Sequence, residues 1–156
     1  MLILPAIDLR QGRCVRLLQG REQDETVYDH NPAAVAERFA VAGAQRLHLV
    51  DLDGAFRGQG ENLASIQAIV QRIRIPVQVG GGLRTRDDVR RMLDLGIASV
   101  IIGTMAVKHP EVLEVALQEH SGEQLILGID SRNRKVAVEG WQEGTELDDT
   151  EFANYW

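Results

Sequence analysis

A chain of 156 residues, 44% hydrophobic and 26% charged, has the size and composition of one globular domain with a core of ordinary extent. Its formal net charge of −6, with Lys and Arg scattered among acids, excludes a broad nucleic-acid footprint. The apolar start, Met1-Leu2-Ile3-Leu4-Pro5-Ala6-Ile7-Asp8, is too short for a spanning helix and lacks the basic lead of a signal peptide, so the expected setting is the cytoplasm, without a membrane partner.

In chain order, the apolar run predicts a first strand over residues 2–9, followed by a small β excursion over 13–18. The excursion contains Cys14, the only cysteine, which leaves no internal disulfide or cysteine-cluster metal site and suits a buried reduced thiol. A helix starts near Pro32, where Asn31 can cap it and proline suits the first turn, and stops at Gly43. Leu47, Leu49 and Val50 mark a second strand over 46–51, and a third is expected over 76–79. After Gly80-Gly81-Gly82 a helix opens at Thr85, with Asp88 at capping-box spacing, and ends around Gly96. A strand over 99–102, a helix from Pro110 towards Gly122, a strand over 124–130 and a second excursion over 135–138 complete the series. Asp148-Asp149-Thr150-Glu151 reads as one more helix start.

Strand and helix alternating in this way predicts a parallel sheet covered by helices, here the first five β/α units of a (β/α)8 TIM barrel. Helix end, glycine turn and strand recur as Val41-Ala42-Gly43-Ala44 before 47–50 and as Leu95-Gly96-Ile97-Ala98 before 100–102. Typical barrels run to about 250 residues. The expectation is therefore one partial barrel domain over residues 1–156 whose C-terminal strands are missing, and whose open sheet edges favour association or poor folding of the isolated chain.

Polar or glycine residues end each expected strand: Asp8, Asp51 and Asp53, Gly80-Gly81-Gly82, Gly103-Thr104, and Asp130. In a β/α barrel those ends share the face where active sites are built. Gly81 and Gly82, joined by Gly103 and Thr104 on the next loop, can cradle a phosphate on free backbone amides. A tight turn that needs glycine only for its dihedrals is the other reading. Asp8 and Asp130, on opposed strands, suit acid/base chemistry on a substrate between them. Arg16 can pair with phosphate or carboxylate, and Trp141 offers a flat plate for stacking or a cover for the core edge. The four histidines show no metal-ligand spacing and read as structural; no metal and no organic cofactor is expected.

The segments Pro5-Ala6-Ile7-Asp8-Leu9, Gly12-Arg13-Cys14-Val15-Arg16-Leu17, Leu47-His48-Leu49-Val50-Asp51-Leu52-Asp53-Gly54-Ala55, Gln78-Val79-Gly80-Gly81-Gly82-Leu83-Arg84, Ile102-Gly103-Thr104, Gly128-Ile129-Asp130 and Gly140-Trp141 together resemble the ProFAR isomerases of histidine biosynthesis. The resemblance runs along essentially the whole chain. It implies a cofactor-free Amadori rearrangement of a small phosphoribosyl substrate, aminoaldose to aminoketose, with Asp8 as base and Asp130 as acid in a protein that is monomeric when complete. It also implies one phosphate site at Gly81, Gly82, Gly103 and Thr104 and a second on later strands. The cyclase subunit of imidazole glycerol phosphate synthase shares the barrel and both aspartates but usually carries lysine at the place of Arg16 and lacks the tryptophan matched by Trp141. The same residues are also compatible with a bifunctional isomerase that takes phosphoribosyl anthranilate as well, or with a non-catalytic phosphate-binding module.

Overall fold

The computed structural model describes residues 1–58, 62–139 and 143–156. Strand β1 spans Ala6–Arg10. It starts later than residue 2 because its pairing comes from the neighbouring parallel strand, whose His48 N–H reaches back no further than the Pro5 carbonyl at 2.9 Å, and Leu2, Ile3 and Leu4 are left exposed. A two-residue turn at Gln11 (φ 49°) and Gly12 (φ 75°) returns the chain as β2, Arg13–Leu17, antiparallel to β1. Positive φ at both turn residues matches the twist of the flanking strands. The first excursion is thus a hairpin, and a third strand, β3 (Glu25–Asp29), extends it antiparallel to β2.

Helix α1 covers Pro32–Val41, capped by the Asn31 side chain, which accepts from the Ala34 N–H at 3.1 Å. Strand β4 (Leu47–Asp51) leads directly into the short α2 (Leu52–Arg57) and then α3 (Leu63–Arg72). Strand β5 (Val77–Gly80) precedes α4 (Arg86–Asp94), where Thr85 and Asp88 form the expected reciprocal capping box. Strand β6 (Ser99–Ile102) is followed by α5 (Thr104–Lys108) and α6 (Pro110–Glu119). Thr104 therefore opens a short helix, with Gly103 as its cap.

Strand β7 ends earlier than expected, spanning only Leu125–Leu127. The last parallel rung is the Gly128 N–H donating to the Ile102 carbonyl at 2.8 Å. Beyond it the chain changes partner. Asp130 opens β8 (Asp130–Arg132), which pairs antiparallel with β9 (Lys135–Val138), itself paired with β10 (Glu143–Asp148). Asp130 thus starts a second sheet; it does not close the fifth barrel strand. Helix α7 (Asp149–Tyr155) starts where the sequence places it, on the Asp148 cap.

The main sheet runs β3-β2-β1-β4-β5-β6-β7, with β1, β4, β5, β6 and β7 all parallel in sequence order. This is the five-unit β/α arrangement of a partial barrel. Alternate side chains divide between two faces, as the strand period of two requires. Ile7, Leu9, Leu47, Leu49, Val77, Val79, Val100 and Ile102 pack with Ala36, Ile66, Ile69, Val89, Met92, Leu113 and Ala116 of the helices in one buried core. The other face carries Asp8, His48, Val50, Gln78, Gly80 and Ile101. The functional question lies on this concave, polar-edged face.

Candidate active site

A cleft of about 260 Å³ opens where the parallel strands end, walled by His48, Val50, Gly80–Gly82, Arg84, Ile101, Gly103, Thr104, Gly128, Asp130 and Glu139 among others. Strands β4, β5 and β6, Gly128 just after β7, and the hairpin β8–β9 contribute to it. Such convergence at the carboxyl ends of parallel strands is where α/β folds hold small molecules.

Asp8 sits beside this lining on the same face, in register with Val50 on β4. Burial pushes its carboxyl above the ordinary 3.8, while the charges of Arg16 and His48 pull it down. The β1–β2 hairpin brings Arg16 back to the strand ends, with Nη1 3.8 Å from Asp8 Oδ2. At 71% exposure the arginine is mostly hydrated, so the pair steers the carboxylate more than it stabilises the fold.

His48, read from sequence as structural, lines the cleft. Burial holds its imidazole below the ordinary 6.5, opposed by the charge of Asp8. Its Nδ1 lies 3.0 Å from Gln78 Nε2. A primary amide nitrogen can only donate, so Nδ1 accepts and the neutral ring carries its proton on Nε2. The sequence signal is the shared parity of His48, Val50 and Ala6: once β1 and β4 are paired Ala6 to His48, they all face one way.

The glycines have a steric reason of their own. Gly81 (φ 101°) and Gly82 (φ 74°) lie in left-handed backbone, and a Cβ on Gly81 would fall 2.1 Å from the Asp51 carbonyl oxygen. One on Gly82 would fall 2.6 Å from Gly54 Cα. The loops after β4 and β5 are therefore packed backbone to backbone, which by itself requires glycine. A buried polar cluster fixes the β4 side. Asn62 donates from Nδ2 to Asp51 Oδ1 at 2.6 Å and Asp53 Oδ2 at 2.9 Å, all three residues being 1% exposed. The Gln11 and Gly12 N–H groups donate to Asp53 Oδ2 and Asn62 Oδ1 at 2.6 and 2.8 Å, tying in the β1–β2 turn. Asp51 and Asp53 thus serve as internal braces, with Asp51 pushed up by burial.

On the far wall, Gly103, Thr104 and Asp130 reach the same cleft as Gly81 and Gly82. Thr104 Oγ1 accepts from the Glu139 N–H at 3.0 Å, which docks the β9 end onto α5. Trp141 lies outside the described residues. Among the described residues no group of three or more His, Cys, Asp or Glu has the geometry of a metal site, and no helix is long and apolar enough to cross a membrane.

Parallel strands alternating with helices, with an imidazole, a carboxylate and glycine loops lining one cleft at the strand ends and a second carboxylate beside it, define a partial β/α barrel. The family profile for histidine biosynthesis proteins matches residues 2–156, and the chain belongs to that family. It is 52% identical over 153 residues to a 1-(5-phosphoribosyl)-5-((5-phosphoribosylamino)methylideneamino)imidazole-4-carboxamide isomerase from Gloeothece citriformis, covering 98% of this chain and 59% of the relative. Relatives of the same name from Desulfosudis oleivorans and Heliobacterium modesticaldum are 48% and 49% identical, over 94% and 98% of this chain and 58% and 62% of their own length. The chain spans about six tenths of the length of these curated relatives.

Proposed function

We propose that the cleft is part of the active site of a ProFAR isomerase, a cytoplasmic, monomeric enzyme that converts the aminoaldose of its phosphoribosyl substrate to the aminoketose. The reaction needs a proton delivered to the ribose ring oxygen, which opens the ring. A proton must then leave carbon two and one must be added at carbon one. Carbon two is oxidised and carbon one reduced within the same molecule, so proton transfers alone balance the step.

Asp130 is the acid for ring opening, and Asp8 is the base that takes the proton from carbon two and returns one to carbon one. A carboxylate lifted by burial is the stronger base, which suits Asp8 to that role. Neutral His48 offers its Nε2–H as a fixed donor beside the reacting carbons, and Arg16 orients Asp8. Gly81, Gly82, Gly103 and Thr104 hold one substrate phosphate, with Arg84 at the same wall supplying positive charge.

The observation that carries this reading is the convergence of His48, the glycine loops and Asp130 on one cleft, with Asp8 in register beside it, in a chain about half identical to proteins of that name. Made in a complete chain, Asp8→Asn and Asp130→Asn are each expected to lower turnover at least about a hundredfold with an unchanged circular-dichroism spectrum. Near-normal turnover in either variant removes that residue from its role. Replacing Gly81 cannot test the phosphate reading, because the turn itself excludes a side chain there. Thr104→Val is the better probe, expected to raise KM by about tenfold with a smaller change in kcat, as loss of a hydrogen bond to a charged group does.

A further inference from the structure

One ionic cluster beside the cleft has no task in the reaction. Lys108, the last residue of α5, places Nζ 2.7 Å from Glu139 Oε1 and 2.6 Å from Glu143 Oε2. Glu139 lines the cleft together with Gly103, Thr104 and Arg84. It is locked there: its N–H donates to Thr104 Oγ1 from left-handed backbone, φ 54°, which a non-glycine residue holds only where its surroundings fix it. A carboxylate is thereby fixed against the wall assigned to a phosphate.

That carboxylate stays ionised. Its hydrogen bond and charge interaction with Lys108 hold it below the usual carboxyl range, with a smaller contribution from Arg84. Protonation therefore does not remove the repulsion it would exert on an incoming dianion. Only a neighbouring cation can, and Lys108 pairs with Glu139 while also engaging Glu143. A bland surface ion pair would join one acid to one base away from any cleft. Here one lysine joins two acids of the β9–β10 hairpin to the helix that carries Thr104.

We propose that Lys108 is a specificity-determining residue: by masking Glu139, the carboxylate that lines the cleft, it allows that wall to accept a phosphate group. The proposal rests on the phosphate reading of Gly103 and Thr104. Lys108 touches no reacting atom, so its effect falls on binding of the anionic end of the substrate.

Isothermal titration with inorganic phosphate of the 156-residue chain, its Lys108→Gln and Glu139→Gln variants and the double variant tests this. Lys108→Gln is expected to raise Kd about fivefold at ~0.1 M ionic strength, and the gap should collapse near ~1 M, where the screening length falls from about 10 Å to about 3 Å. The double variant should return to within about twofold of the parent, and Glu139→Gln alone should bind at least as tightly as the parent, because a like charge has gone. A purely structural role for Lys108 predicts no rescue, since the double variant also lacks the ion pair. An unchanged Kd in Lys108→Gln, or absence of rescue, overturns the masking role while leaving phosphate binding in place. A parent chain that binds no phosphate overturns the cradle and this inference with it. Should Lys108→Gln fail to fold, weaker phosphate binding by Glu139→Gln alone would contradict the proposal, and parent-like binding by Lys108→Arg would support it.

Discussion

The two sheets of this molecule are built on opposite principles. In the parallel strands β1, β4, β5, β6 and β7, one face is sealed by helices, with Leu9, Leu47, Leu49 and Val100 fully buried. In the antiparallel sheet β8–β10, every residue of β8 is exposed, and the buried side chains are Val136, Ala137 and Val138 of β9. Its remaining ties are polar: Lys135 Nζ to the Glu146 carbonyl at 2.6 Å, Thr145 Oγ1 to the Val136 carbonyl at 2.8 Å, and Ser131 to Asp149 at 2.5 Å. Hydrogen bonds of this kind contribute about 0.5–1.5 kcal/mol each, whereas truncating a buried leucine costs about 2–5 kcal/mol. Asp8, His48 and the glycine loops stand on the rigid sheet, and Asp130 and Glu139 on the weaker one. The lining of the cleft is thus divided between a well-packed sheet and one with fewer buried contacts.

The sharpest test of the rigid half is Gly81→Val. With the Asp51 carbonyl 2.1 Å from the new Cβ and φ at 101°, it is expected to cost at least about 3 kcal/mol, the scale of overpacking combined with backbone strain. Thermal melting reads this directly, and a parent-like Tm would mean that the two loops are not packed as described. The next test contrasts the sheets. Leu49→Ala should cost about 3 kcal/mol, and Leu147→Ala, on exposed β10, less than about 0.5 kcal/mol. Equal losses in denaturant unfolding would erase the contrast.

The smallest expected effect has the most telling sign. Burial raises the Asp8 carboxyl above 3.8 despite Arg16 and His48. A group with a raised folded value favours the fold while protonated, below that ordinary value, and the benefit is lost as pH rises through the folded value. Asp8 therefore works against stability at neutral pH, and Asp8→Asn should raise Tm at about pH 7 by about 1–3 °C, with the gain shrinking as pH is lowered towards about 4. A lower Tm at neutral pH would show that the charge is better compensated than the geometry implies. His48 acts in the other direction: its depressed value contributes stability above 6.5 that is lost as pH falls through the folded value.

Much of the rigid half is legible in the sequence because its signals are local. Asn31-Pro32 and Thr85 with Asp88 announce helix starts, and short Val/Ile/Leu runs announce strands whose ends carry Asp51, Gly80 and Gly103. The weaker half is less legible. The apolar run from Leu125 to Ile129 continues past the last parallel rung, and nothing in it marks where the chain leaves β6 for β9, so the pattern alone puts Asp130 on the wrong strand. Helices α2 and α5, of six and five residues, are too short to show a period. His48 needs the inter-strand register before its face is known, and Lys108 meets carboxylates 31 and 35 residues away that no local pattern connects to it.

The proposed division of labour between Asp8 and Asp130 is tested most directly in a complete chain, by hydrogen exchange in D2O into the aminoketose product of the proposed reaction. An open-chain ketose needs no ring opening, so exchange at carbon one depends on the base alone. The parent protein and Asp130→Asn are expected to exchange at comparable rates, and Asp8→Asn at least about a hundredfold more slowly. Undiminished exchange in Asp8→Asn, or equal loss in both variants, would contradict the assignment of Asp8 as the base and Asp130 as the ring-opening acid.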